Sequence, residues 1–321
     1  MVPMGHADIV TKEYMSNNDV FADAFNYLIY HGRKVIAPAS LHAIDTAETA
    51  VVYLNEEDPG TVQKYRDLLK SAVLMTGDKI SYLLLGIENQ EDIHYAMPVR
   101  NMVYDALLYE RQVRETAEQH HQAKDRKEKT RGEFLSGFYK EDRLKPVVTM
   151  VVSFSPDKWD GPLSLHEMME ECDPEIMGFV QDYKIHLIEP ASVSEEDFSK
   201  FSTDLGAVMK FIKYSRDKVR MEEILQTDSA YRELRTSAAQ VLNTCTKIGL
   251  EIDEKSEVMD MCQAIQEMQK EAVDKAIDKA EETTLLKTAK SLMKTLHMTA
   301  DQALTAMEVS DADRELLMPM L

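Results

Sequence analysis

The chain has 321 residues, 44% of them hydrophobic and 29% charged, with a formal net charge of -20. That length holds one or two domains, and no apolar run approaches the roughly 20 residues that span a bilayer. A uniformly acidic surface repels phosphate, which weighs against a broad nucleic-acid-binding face.

No basic segment followed by a hydrophobic one stands between Met1 and Val10, so no signal peptide is expected. Three cysteines, Cys172, Cys245 and Cys262, lie far apart. They point to a reducing cytoplasm and to neither a disulfide framework nor a zinc site.

Asn17 to Tyr30 carries Val20, Phe21, Ala24, Phe25 and Leu28 at helical spacing and stops at His31-Gly32, a C-cap pattern. Thr46 to Pro59 is acidic and poorly patterned, a loop or an irregular strand pair. Val62 to Met75 fits helix or strand, and Thr76-Gly-Asp-Lys79 is a turn. Ser81-Tyr-Leu-Leu-Leu-Gly-Ile-Glu88-Asn-Gln90 is an apolar strand that ends in an acid-x-amide triplet. Pro98 suits the first turn of a helix running to about Gln119.

From Gln122 to Lys145 eight basic residues face five acidic ones, a local excess of three in an acidic chain. The segment reads as a solvated loop able to touch a phosphate backbone. His120-His121 beside it reads as solvent-exposed. Lys145 to Phe154 is a second, β-branched strand. After the turn at Trp159-Asp-Gly-Pro162 come a short helix over Leu165 to Glu171 and a strand from Tyr183 to Ile188.

From about Ser194 the pattern is helical almost throughout, with a capping box at Thr299-Ala-Asp-Gln302 and a further N-cap at Ser310. The 20 methionines read as adaptable core filler. The expected division is an α/β portion over residues 1–215 and an α-helical region over residues 216–321.

Residues two apart on a strand share a face, so Glu88 and Gln90 point together. A carboxylate and an amide there suit a hard cation and its water, and Mg²⁺ asks for a second carboxylate. Asp67 is the candidate, because a hairpin through the turn at Gly77 brings it beside Glu88.

Asp67, twenty intervening residues and then Glu88-Asn-Gln90 resemble the D…ExQ variant of the PD-(D/E)XK nuclease motif. The chain more specifically resembles the Rpn family of recombination-promoting nucleases and transposases. Asn18 to Asn26, Gly86 to Gln90 and Met97 to Tyr104 with Tyr109 and Gln112 carry the likeness. So do Leu135 to Tyr139, Pro146 to Val152, Trp159 to Leu165, Ser202 to Gly206 and Phe211 to Tyr214. They follow in order over roughly residues 14 to 220.

The resemblance implies a PD-(D/E)XK-type mixed sheet flanked by helices, with an α-helical C-terminal region. It implies a Mg²⁺-dependent endodeoxyribonuclease, with Mn²⁺ as substitute, linked to recombination, mobile elements or phage defence. Asp67, Glu88 and the Asn89 carbonyl would be metal ligands, and Gln90 would orient water or the scissile phosphate. Asp19 or Asp23 would add an outer ligand. Arg100, Tyr104 and Gln112, roughly on one face of the following helix, would contact phosphate or brace the ligands. DNA is the implied partner, with RNA as the alternative, no membrane, and a homo-oligomer through the C-terminal helices. The stretch Ser291 to Ala306 resembles a helical tail found in the family.

The chain departs from the motif in two places. Arg66 stands where the motif has proline, and Gln90 replaces the usual lysine, which removes a charge stabiliser. A catalytically inactive nuclease fold, serving as a nucleic-acid-binding or helical oligomerisation module, is the rival expectation.

Overall fold

The computed structural model describes residues 6–44, 47–55, 58–65, 67–76, 79–123, 130–253 and 255–321. Two helices open the chain, α1 (His6–Ser16) and α2 (Asn18–Tyr30). Asn17 caps α2 by accepting from the Asp19 amide. The helix ends as its sequence dictates, with His31 and Gly32 both left-handed at φ 55° and 87°.

A mixed sheet of five strands follows. β1 (Leu41–Ala43) and β4 (Leu68–Thr76) are antiparallel, as are β4 and β5 (Lys79–Gln90). β6 (Val147–Ser153) and β7 (His186–Ile188) then add in parallel beyond β5, giving the order β1-β4-β5-β6-β7. A separate antiparallel pair, β2 (Ala47–Asn55) and β3 (Asp58–Tyr65), precedes β4. The patternless stretch from Thr46 is therefore largely a strand pair with a register irregularity near Tyr53. Within Val62 to Met75, the part to Tyr65 belongs to β3 and the part from Leu68 to β4. The expected turn at Gly77-Asp78 lies outside the described residues.

β5 is the axis of the site. From Leu84 to Asn89 it is buried on both faces, which explains its continuous apolar run. Parallel β5 and β6 need a long crossover, supplied in part by α3 (Met97–Gln122). Thr149 on β6 pairs with Gly86 and donates to Asp105 of α3 at 2.6 Å. The face bearing Gly86, Glu88 and Gln90 is thus the α3 face. Met97, Val151, Trp159 and Ile185 form a core cluster on that side.

Leu85, Ile87 and Asn89 point to the other face. There Lys70, opposite Leu85, sends its ammonium to the Ser16 carbonyl and the Asn18 amide oxygen, joining β4 to α1 and α2.

Several segments differ from expectation. α4 (Arg131–Ser136) forms inside the stretch read as a charged loop, held by a Thr130/Glu133 capping box. His120 is not simply solvated: it meets Asp142 at 2.8 Å and stacks on Tyr139. Leu165 to Glu171 is only a single 3-10 turn at His166–Met168, and α5 (Pro174–Met177) follows. The strand expected from Tyr183 is formed as a ladder only at His186–Ile188, because Lys184 makes an isolated bridge to Ser164.

The C-terminal part contains α6 (Leu205–Tyr214), α7 (Lys218–Thr227) and α8 (Thr236–Thr246), with a short pair β8 (Leu234–Arg235) and β9 (Val258–Met259) between and after them. The chain divides into compact units Met1–Asp260 and Met261–Leu321, so position 215 falls inside the first unit. The reason is packing: α8 lies against α1 and α6, with Ala238, Ala239, Val241 and Leu242 fully buried.

The second unit comprises α9 (Met261–Leu296), α10 (Ala300–Ala306) and α11 (Asp311–Leu317) around Ala289, Ala303, Leu304 and Leu317. Thr299 and Gln302 form the expected capping box, and Ser310 caps α11. No helix among the described residues is long and apolar enough to cross a membrane.

Candidate active site

The β4–β5 register sets Leu68 opposite Ile87, so Asp67, one residue before β4, falls beside Glu88 and Asn89. The Asn89 amide donates to Asp67 Oδ2 at 2.8 Å. Glu88 next to it is 0% exposed, and Arg100 in the first turn of α3 places Nη2 3.0 Å from Glu88 Oε2. Arg100 Nε donates to the Tyr104 hydroxyl at 3.2 Å, one helical turn on. Gln90 Nε2 donates to the Asn89 carbonyl at 2.7 Å. Six of the expected residues thus converge: Asp67, Glu88, Asn89, Gln90, Arg100 and Tyr104.

Their electrostatics follow from depth. Burial raises the Asp67 pKa, opposed by the Asn89 amide, Arg100 and Lys12, while Asp8 pushes it further up. Burial alone would lower Arg100, but Glu88, Tyr104 and Asp67 outweigh it and raise its pKa. Tyr104 is raised by burial and then by the Glu88 charge. Arg100 therefore pairs with Glu88 and also acts on Asp67 through charge, with Lys12 and Asp8 of α1 adding charges of opposite sign around Asp67.

The other expected residues lie apart from these six. Both oxygens of Asp23 are engaged by the amides and hydroxyls of Ser202 and Thr203, at 2.7 to 3.0 Å. This fastens α2 to the turn before α6. Asp19 lies with Asp23, Asp204 and Arg235 on the wall of a hollow of about 720 Å³, one that none of the six convergent residues lines. Gln112 grips Lys145 through both backbone groups, its Oε1 accepting at 2.7 Å and its Nε2 donating at 3.2 Å. Twelve residues at about 1.5 Å each carry it roughly 18 Å along α3 from Arg100, to the start of β6.

One residue at this layer escaped the sequence reading. Asn101 is fully buried, and neither its Oδ1 nor its Nδ2 has a hydrogen-bond partner among the described residues. It lies in the buried stripe Met97, Asn101, Tyr104, Asp105 and Leu108. The usable signal was an asparagine at a core position of an amphipathic helix, since buried amides are normally partnered.

Among the described residues no group of three or more His, Cys, Asp or Glu could hold a metal ion. The donor set still has the chemistry of a Mg²⁺ site, because that ion uses one or two carboxylates and leaves its remaining positions to water and phosphate. Asp67, Glu88 and the Asn89 carbonyl are all hard oxygen donors. Comparison with protein-family models, with curated proteins and with solved structures returned no match.

Proposed function

We propose that the chain is a divalent-cation-dependent endonuclease with a PD-(D/E)XK-type core of the Rpn kind, acting on DNA. The observation that carries this reading is the fastening of Asp67 to Asn89 beside a buried Glu88 at the end of a central strand. Asp67, Glu88 and the Asn89 carbonyl are the residues that would hold Mg²⁺. When bound, that ion supplies Lewis-acid stabilisation of phosphoryl charge and acidifies water. Gln90, already turned back on the Asn89 carbonyl, fixes that carbonyl's direction and offers an amide to solvent or phosphate. Arg100 brings the positive charge that Gln90 lacks, and Tyr104 orients it.

Supercoiled plasmid incubated with Mg²⁺, with EDTA and with Glu88→Ala tests the reading. Nicking or linearisation should require Mg²⁺ and fail in the variant. Equal cleavage by Glu88→Ala removes this site from consideration.

The Arg100–Glu88 pair also favours a second reading, a catalytically silent nuclease fold that binds nucleic acid. On that reading the Arg100–Glu88 ion pair, 3.0 Å in this structure, would stay closed and keep Glu88 from a cation. Asp67-dependent Mg²⁺ binding in calorimetry is expected on the first reading and absent on the second.

A further inference from the structure

We infer that Arg100 is the counter-ion a divalent cation displaces from Glu88, and that the displaced guanidinium is the residue that takes the substrate phosphate. The inference rests on the nuclease reading and adds to it a phosphate-binding residue and an order of events.

Asp67 and Glu88 contribute two negative charges and Arg100 one positive. A divalent cation turns that net -1 into +1, and one phosphodiester anion returns it to zero. The guanidinium and the cation seek the same Glu88 oxygens, so each lowers the other's affinity. Glu88 is 0% exposed, whereas the Arg100 side chain is 31% exposed. The arginine therefore runs from the buried carboxylate to solvent, the direction from which a phosphate arrives.

The tether makes the displacement short. Nε is held by Tyr104, whose ring centroid lies 5.7 Å from the guanidinium carbon. A fork held at Nε keeps both terminal nitrogens available for a bidentate phosphate contact. Gln90 can add a neutral N–H to the phosphate but no charge, so the charge balance falls to Arg100.

The test is Mn²⁺ titration by calorimetry of the full chain, as wild type, Arg100→Gln and Asp67→Ala. Arg100→Gln should bind Mn²⁺ about tenfold more tightly than wild type, within the usual range of coupling between two ligands. Its plasmid cleavage should fall, and Asp67→Ala should bind no Mn²⁺. Asp67-dependent binding in wild type with equal or weaker binding in Arg100→Gln overturns the inference and leaves the nuclease reading standing. No binding in any form overturns both.

Arg100→Gln leaves a buried carboxylate without its cation, so a second measurement uses the wild-type chain. With ¹⁵N-labelled arginine, the Arg100 Nη signals, identified by their loss in Arg100→Lys, should show hindered rotation that Mg²⁺ releases. Nη signals unchanged at saturating Mg²⁺ overturn the displacement.

Discussion

The amide of Asn89 donates to Asp67 Oδ2 across 2.8 Å, tying the first carboxylate to the strand that carries the second. Two acidic groups are thereby held close in a buried place, an arrangement that costs stability and that catalytic sites commonly tolerate. The cost has a measurable pH signature.

Asp67 has a raised pKa in the folded chain, chiefly through burial. The folded state therefore binds its proton more tightly than the unfolded state, where an aspartate titrates near ~3.9. The stability it contributes is complete below that value and is lost as pH rises through the folded pKa. Asp67→Asn, which keeps an acceptor for the Asn89 amide, should raise Tm most at neutral pH. The gain should shrink below about pH 4, where both chains carry a neutral group. Thermal melts from pH 3 to 8 check this, and a pH-independent difference refutes it.

Asn101 has a fully buried amide without a hydrogen-bond partner among the described residues. A buried unmet polar group costs roughly 1–3 kcal/mol, and an apolar group of similar shape does not. Asn101→Leu should raise the urea midpoint while lowering plasmid cleavage. A variant both less stable and fully active would show that the amide matters only to the fold.

Gly32 adopts φ 87°, and a Cβ there would stand 2.6 Å from the Lys200 carbonyl oxygen. Gly249, at φ 81°, has nothing within 4 Å of the same position. Both alanine variants should lose about 1–2 kcal/mol to left-handed backbone. Gly32→Ala should lose more, and the difference in denaturant midpoint measures the backbone clash.

A chain ending at Asp260 should unfold cooperatively with a Tm near that of the full protein. A chain ending at Ser215 should not fold, since it lacks α8 and Tyr231, whose hydroxyl donates to the buried Ala207 carbonyl. Circular dichroism of the two truncations decides it. A cooperative transition in the shorter one places the boundary near 215.

The convergence of Asp67 with Glu88 to Gln90 was legible in sequence because its parts are local. The run into Glu88 is continuous and apolar because β5 has both faces covered, and Asp67 reaches it through a hairpin of short sequence separation. The contacts of Asp23 and Gln112 were not legible, for the opposite reason. Their partners, Ser202 and Lys145, lie 179 and 33 residues away, and no periodicity reports such contacts. α1 was missed because its buried face (Ala7, Thr11, Tyr14 and Met15) is a narrow stripe on a polar helix. Helical period after Ser194 does not report which compact unit a helix joins, and α8 packs with α1 and α6 of the first.

β5 has an antiparallel neighbour on one side and a parallel one on the other, and the two pairings differ in loop closure. β4 and β5 zip from Thr76 and Lys79, which are opposed in the register, so closure there is short. β5 and β6 pair only after the chain has passed through α3 and on to Val147. Loop-closure entropy favours the hairpin first. Asp67 and Glu88 are thus neighbours in the chain's early history, whereas the contact between α3 and β6 belongs to its late stages. Changes along the hairpin should act on the refolding rate, and changes in the α3–β6 layer on the unfolding rate.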